Sequence, residues 1–154
     1  MNAADRHLAH FNWATLRGDW GSEVVAGFQN AVERVNALAD RSPGFVWRYP
    51  GDESRAAART GWPMFADNPR TIASFSVWRT PKAFEDYVTK TVHGAFRRRS
   101  DEWFEANSGV NVALWWVPVG HRPSISEARE KVEALQSDGP SETVFTYADL
   151  RSLA

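Results

Sequence analysis

The spacing of apolar residues along the chain predicts four strands and three helices. Alternating or continuous apolar runs predict strands at residues 7–13, 45–49, 71–78 and 110–117. Helical spacing predicts one helix capped by Ser22, a long one beginning at Thr80 and Pro81, and one opened by a capping box of Ser124 and Glu127. The order is β-α-β-β-α-β with an appended helix, so we expect an α+β protein with a ferredoxin-like sheet.

The predicted strands are apolar on both faces of the sheet. In the fourth strand Trp115 and Trp116 point to opposite sides, so each face carries a large ring. Two helices cover only one face of a four-stranded sheet. We therefore expect the other face to pack against the same face of a second copy, which predicts a homodimer.

The first strand and the third strand each have one face on which polar side chains stand among apolar ones. Alternation places Ser74, Ser76 and Trp78 together on the third strand, and His10 and Asn12 together on the first. The serine-bearing face is the candidate for lining a cavity. His7 lies three residues from His10 and points to the opposite face, which argues against a joint metal site.

The long helix after Thr80 carries the residues best suited to chemistry. His93 lies opposite the apolar stripe of a straight helix, and Gly94 beside it is a point where the helix can bend. A histidine there can act as a general base or ligate haem iron. Arg97, four residues later, can hold a carboxylate in a bidentate pair. The alternatives are an exposed histidine and a solvated arginine.

Composition narrows the class of protein. The chain has 154 residues, enough for one domain, and a formal net charge of −1, which argues against nucleic-acid binding. It has no cysteine, so thiolate chemistry and disulfides are excluded. Eight tryptophans and nine phenylalanines favour a flat ligand or a subunit interface. No apolar run approaches the about 18 residues of a membrane span, and no leader is evident, so a cytoplasmic location is expected.

Residues 50–69 form a stretch rich in glycine, proline, alanine and arginine. Trp62, Met64 and Phe65 are its large apolar residues. A loop of this length inside a compact domain is often functional. It is either a lid over a ligand or a surface excursion anchored by one buried cluster.

Several segments together resemble a known family. They are Ser42-Pro43-Gly44-Phe45, the Ser-Val-Trp at 76–78, the histidine followed by three arginines and Trp-Phe, and WWVPVGHRP at 115–123. Over about residues 7–147 the chain is similar to the bacterial family called domain of unknown function 3291. That family resembles the antibiotic-biosynthesis-monooxygenase superfamily of dimeric α+β barrels, some of which oxidise polyketide phenols without a cofactor and some of which bind and degrade haem.

The resemblance implies a site and three functions. Asn12, Trp78 and His93 occupy places comparable to the haem-degrading branch's catalytic residues and are the catalytic candidates, with haem iron on His93 if haem binds. The ligand-binding candidates are Arg97, His10, Trp47, Tyr87, Trp103 and Trp116. The leading expectation is an enzyme of secondary metabolism that oxidises a flat aromatic, with either no cofactor or haem. The alternatives are a haem-binding or haem-degrading protein and a non-catalytic dimeric ligand-binding protein.

Overall fold

Four antiparallel strands form one sheet in the computed structural model, which describes residues 2–90, 99–106 and 109–153. The strands are β1 (Arg6–Thr15), β2 (Phe45–Arg48), β3 (Thr71–Trp78) and β4 (Val112–Pro118). Their order across the sheet is β2-β3-β1-β4, with every neighbouring pair antiparallel. This is the ferredoxin-like order, so the predicted α+β fold class is confirmed.

Seven α-helices are described around this sheet. They are α1 (Ala26–Asp40), α2 (Glu53–Arg59), α3 (Pro63–Ala66), α4 (Pro81–Lys90), α5 (Ser100–Trp103), α6 (Ile125–Asp138) and α7 (Tyr147–Leu153). Short 3₁₀ turns occupy Ala3–Asp5 and Glu23–Val25. Among the helices described, none has the length and apolar character needed to cross a membrane.

The two faces of the sheet are each covered by helices of the same chain. We call the face that carries Leu8, His10 and Asn12 the His10 face, and the opposite one, with Phe11, the Phe11 face. Helices α1 and α4 pack on the His10 face together with the C-terminal segment. The residues that bury this core include Leu8, Val35, Ala39, Trp78, Phe84, Val88, Leu114, Phe145 and Leu150.

The Phe11 face is covered by α2, α3 and α6, so the premise of an open sheet face is wrong. Phe11 is 0% exposed and Trp115 1% exposed in a single copy. Burying such a ring contributes about 1.5–3 kcal/mol, and here that contribution is made within one chain. Two of the helices that cover this face, α2 and α3, lie in residues 50–69, where the sequence predicted no helix. The homodimer stays a prediction, and a second copy is not needed to bury this face.

Residues 50–69 are largely helical rather than a loop. Asp52 caps α2 by accepting a hydrogen bond from the Arg55 backbone N–H at 3.0 Å. The rings of Trp62 and Phe11 stack with centroids 5.5 Å apart, and Phe65 is also buried. These contacts agree with the interpretation of an excursion anchored by a buried cluster, and the excursion closes the Phe11 face.

Two of the three predicted helix caps are confirmed. The Thr80 hydroxyl accepts from the Ala83 N–H at 3.1 Å, and the Ser124 hydroxyl accepts from the Glu127 N–H at 3.1 Å. The cap predicted at Ser22 is wrong, since that residue precedes a 3₁₀ turn and its side chain makes no cap bond. Its Oγ is buried with no hydrogen-bond partner in the described part of the chain.

Gly44 should be intolerant of a side chain. It has φ +83°, and a Cβ added there would overlap the Cβ of Ala83. Gly61 has φ +82° and no neighbour within 4 Å of such a Cβ, which makes it a matched control. We expect Gly61→Ala to lower the free energy of unfolding by about 1 kcal/mol through backbone strain alone. Gly44→Ala should lower it by a further ~1–3 kcal/mol because of the overlap. Equal losses in urea denaturation would contradict this packing.

Candidate functional site

A polar stripe crosses the His10 face at its centre. It consists of His10 and Asn12 on β1 and their direct partners Ser76 and Ser74 on β3. His10 and Ser76 are buried, Asn12 is half-buried, and Ser74 is exposed. The stripe therefore runs from the core to the surface. The alternation predicted within each strand is confirmed, and the register between β1 and β3 brings the two polar sets onto one face.

A chain of hydrogen bonds fixes the buried end of the stripe. The Trp78 indole N–H donates to Ser76 Oγ at 2.9 Å, and Ser76 Oγ lies 3.1 Å from Nδ1 of His10. An indole N–H can only donate, so the Ser76 hydroxyl proton is available for Nδ1. When Ser76 donates it, the neutral imidazole of His10 carries its proton on Nε2. Ser76 thereby couples the orientation of His10 to that of Trp78.

Aromatic rings surround the hydrogen bonds that link Trp78, Ser76 and His10. Tyr87 on α4 stacks on Trp78 with centroids 4.9 Å apart and 27° between the planes, and Phe84 lies 4.7 Å from His10. The Tyr87 hydroxyl donates to the Val35 carbonyl at 3.4 Å. Burial, reinforced by the nearby Asp40 charge, raises the pKa of Tyr87, so the phenol stays protonated at neutral pH.

The structure gathers four of the predicted site residues at the centre of the His10 face. They are His10, Asn12, Trp78 and Tyr87. Trp78 is 1% exposed and is covered by Tyr87, so it supports the site rather than offering a bare wall to a ligand. Of these four residues, Asn12 is the one whose polar side chain is only half-buried and can be reached by a ligand.

Trp116 shares the His10 face but lies at its end. It stands opposite Leu8 in the β1–β4 register, and the Arg6 guanidinium lies 3.8 Å from the centroid of its ring. Its ring also packs 5.8 Å from that of Phe145. In this structure Trp116 therefore packs between Arg6 and Phe145.

Two other predicted ligand-binding residues lie away from the stripe. A register shift between Phe45 and Trp47 turns Trp47 to the Phe11 face, where it packs 5.5 Å from Phe75. Trp103 is buried beyond the other end of β1 and packs with Leu16 and Phe28. Neither is brought to the polar stripe.

His93 and Arg97 lie outside the described residues. Their roles, and haem ligation by His93, stay predictions. Among the residues that are described, no group of three or more metal-ligating side chains of the His, Cys, Asp or Glu type comes together.

Ser76 and Phe84 were not predicted as site residues. Ser76 was assigned to the right face, but its link to His10 depends on the β1–β3 register, which a single sequence does not specify. Phe84, on α4, is the ring against which His10 packs.

His121 lies in the turn after β4 and contacts the first turn of α6. Its Nε2 lies 2.6 Å from Oε1 of Glu127, while Oε2 of Glu127 accepts from the Trp115 indole at 2.8 Å. The backbone N–H of Glu127 also donates to the hydroxyl of Ser124, the residue that caps α6. This cluster ties the turn after β4 to the first turn of α6.

Glu53 is a carboxyl group that sequence reasoning did not identify. It is the first residue of α2 and is half-buried. Burial raises the pKa of Glu53 to about 8, the Asp52 charge adds to the rise, and Arg48 opposes it. Glu53 is therefore mostly protonated at neutral pH.

Comparison with protein families identifies the family of this chain. Residues 7–153 match the family described as Domain of unknown function (DUF3291). The resemblance inferred from the sequence segments is thus confirmed. A search of curated proteins returned no match.

Solved structures of similar topology come from three bacteria. PA3566 from Pseudomonas aeruginosa has a TM-score of 0.49 at 12% identity, covering 79% of this chain and 98% of that one. NE2512 from Nitrosomonas europaea, of unknown function, has a TM-score of 0.47 at 11% identity, covering 79% and 96%. SnoaB from Streptomyces nogalater, a cofactor-independent oxygenase, has a TM-score of 0.45 at 16% identity, covering 77% and 97%.

Removing the Ser76 hydroxyl should destabilise the fold. Ser76→Ala would leave the Trp78 N–H and one His10 ring nitrogen without this partner in the core, at a cost of about 1–3 kcal/mol. Ser74→Ala, on the same strand and face but exposed, should change the free energy of unfolding by no more than about 0.5 kcal/mol. Urea denaturation of both variants measures the difference. Equal effects would show that the hydrogen-bond chain contributes nothing to stability.

Glu53 should make stability depend on pH. Its folded-state pKa of about 8 lies above the ordinary 4.5, so the folded state binds the proton more tightly than the unfolded state. Its stabilising contribution is complete below pH 4.5 and is lost as pH rises through 8. Denaturation midpoints of the parent should show this decline, and Glu53→Gln should remove it. Parallel profiles for parent and variant would contradict the pKa shift.

Proposed function

The chain belongs to the DUF3291 family, and we propose that it is a small-molecule enzyme that oxidises a flat, electron-rich aromatic compound of the polyketide type. The observation that supports this best is the polar stripe on an otherwise aromatic face. Asn12 lies half-buried between the buried His10 and the exposed Ser74, where an oxygen of a bound aromatic would meet an amide.

The proposed reaction needs only molecular oxygen as co-reactant. A base removes a proton from an acidic CH₂ group of the substrate, and the carbanion passes its electrons to O₂ as a C–O bond forms. The peroxide takes up the proton from the base. Loss of the second C–H proton with hydroxide then breaks the O–O bond, so that CH₂ and O₂ become C=O and H₂O.

The residues divide this work in the proposed mechanism. His93, assigned by resemblance, is the base, and Arg97 holds an anionic substituent. The Asn12 amide N–H donates to the oxygen on which negative charge develops, because a fixed donor stabilises such charge strongly in a site shielded from water. Trp78 and Ser76 are positioning residues that hold His10, and Tyr87 and Phe84 form the aromatic surroundings.

Oxygen uptake with dithranol, a hydroxylated aromatic with an acidic CH₂ group, tests this proposal. We expect the purified protein to consume one O₂ per dithranol without added cofactor. His93→Ala should lower kcat by about 10²–10⁴. Asn12→Ala should lower it by roughly 10² or more. Ser137→Ala, exposed on α6 over the opposite face of the sheet, is the control and should keep the parent rate.

Two outcomes would contradict the proposal. Uptake no faster than in buffer would exclude dithranol-type oxidation, and a Soret band that grows on haem titration would then favour the haem-binding alternative, which also rests on His93. Parent-like rates in both His93→Ala and Asn12→Ala would place the chemistry away from this face.

A further inference from the structure

A cleft lies outside the polar stripe, between the turn after α1 and the start of α4. Its volume is about 390 Å³, which falls within the range of small-molecule sites. The turn residues 42–44 form one wall, and Arg79, Lys82, Asp86 and Tyr87 contribute to the other. Of these lining residues, only Tyr87 is also among the ligand-binding candidates predicted from the sequence.

The walls of the cleft are held rigidly. Gly44 approaches α4 so closely that any side chain there would overlap Ala83, and the Arg79 N–H donates to the Gly44 carbonyl at 2.8 Å. The Tyr87 ring is fixed from the other side by its stack on Trp78. A ligand would thus meet a preformed surface, which lowers the entropic cost of binding.

The charges around the cleft favour one negative charge in a ligand. Lys82 Nζ is already paired with Asp86 at 2.6 Å. The Arg79 guanidinium forms no ion pair with a carboxylate in the described part of the chain. Arg79 also has an electrostatic effect on His7, since burial first and the Arg79 charge second lower the pKa of that imidazole. The three charges that line the cleft leave one positive charge unbalanced.

We propose that this cleft binds a small molecule with an apolar body of one or two rings and a single carboxylate, which pairs with Arg79. Pro43, Ala83 and Tyr87 supply apolar walls for the body. A guanidinium suits a carboxylate because it donates two parallel hydrogen bonds. At the start of α4, Pro81 has no N–H and the N–H of Ala83 is already bonded to the Thr80 hydroxyl, so the carboxylate is assigned to the guanidinium of Arg79. This proposal concerns ligand binding only and is independent of the proposed oxidation reaction.

Titration of the full chain with 2-naphthoate, followed by calorimetry and by ¹H–¹⁵N chemical shifts, tests the proposal. We expect one site per chain, with shifts centred on the amides of Gly44 and Lys82. Arg79→Gln should weaken naphthoate binding by about ten- to a hundred-fold, the loss typical of a charge-assisted pair. The neutral 2-naphthamide should bind the parent and Arg79→Gln equally. Arg41→Gln, an exposed arginine close in sequence to the turn but absent from the cleft, is the matched control and should bind naphthoate as the parent does.

Several results would overturn the proposal. Naphthoate shifts confined to other parts of the chain would place the site elsewhere. Equal naphthoate affinity in the parent and Arg79→Gln, or an equal loss in Arg41→Gln, would remove the role of Arg79. If Arg79→Gln fails to fold, Arg79→Lys and the comparison of naphthoate with naphthamide on the parent decide the matter, and equal affinity for the two ligands would refute it.

Discussion

The register between β1 and β3 is the constraint on which the remaining structure depends. It places Leu8 opposite Trp78, His10 opposite Ser76, and Asn12 opposite Ser74. Because side chains alternate along a strand, a slip of one residue would move every one of these side chains to the other face. The hydrogen-bond chain through Ser76, the stack of Tyr87 on Trp78 and the graded exposure of the polar stripe all follow from this pairing.

The second constraint is that both faces of the sheet are apolar and must be covered. A polar stripe is costly in such a setting unless its groups are hydrogen-bonded or reach water. His10 and Ser76 meet the first condition, and Ser74 meets the second. Asn12 is half-buried, so its amide is partly shielded from water and still accessible to a ligand. For this reason it is the central residue of the proposed function.

Local patterns predicted much of the fold, because strands and caps depend on near neighbours. The limits of β3, the Thr80 and Ser124 caps and the opposite directions of Trp115 and Trp116 could all be read from the sequence. The bulge that turns Trp47 away from the site could not, since it arises from pairing between strands distant in sequence. Helices α2 and α3 were not predicted, because both are short and the glycine and proline residues around them are typical of a loop.

The position of β1 at the centre of the sheet also affects how the chain can fold as it is made. β1 is synthesised first, yet its two neighbours in the sheet are β3 and β4, and β4 ends at Pro118. The helix that covers Trp115 follows later still, at Ile125–Asp138. Non-local pairing of this kind slows folding. Until α6 has left the ribosome, the Phe11 face lacks part of its cover, so the growing chain exposes aromatic surface that chaperones recognise.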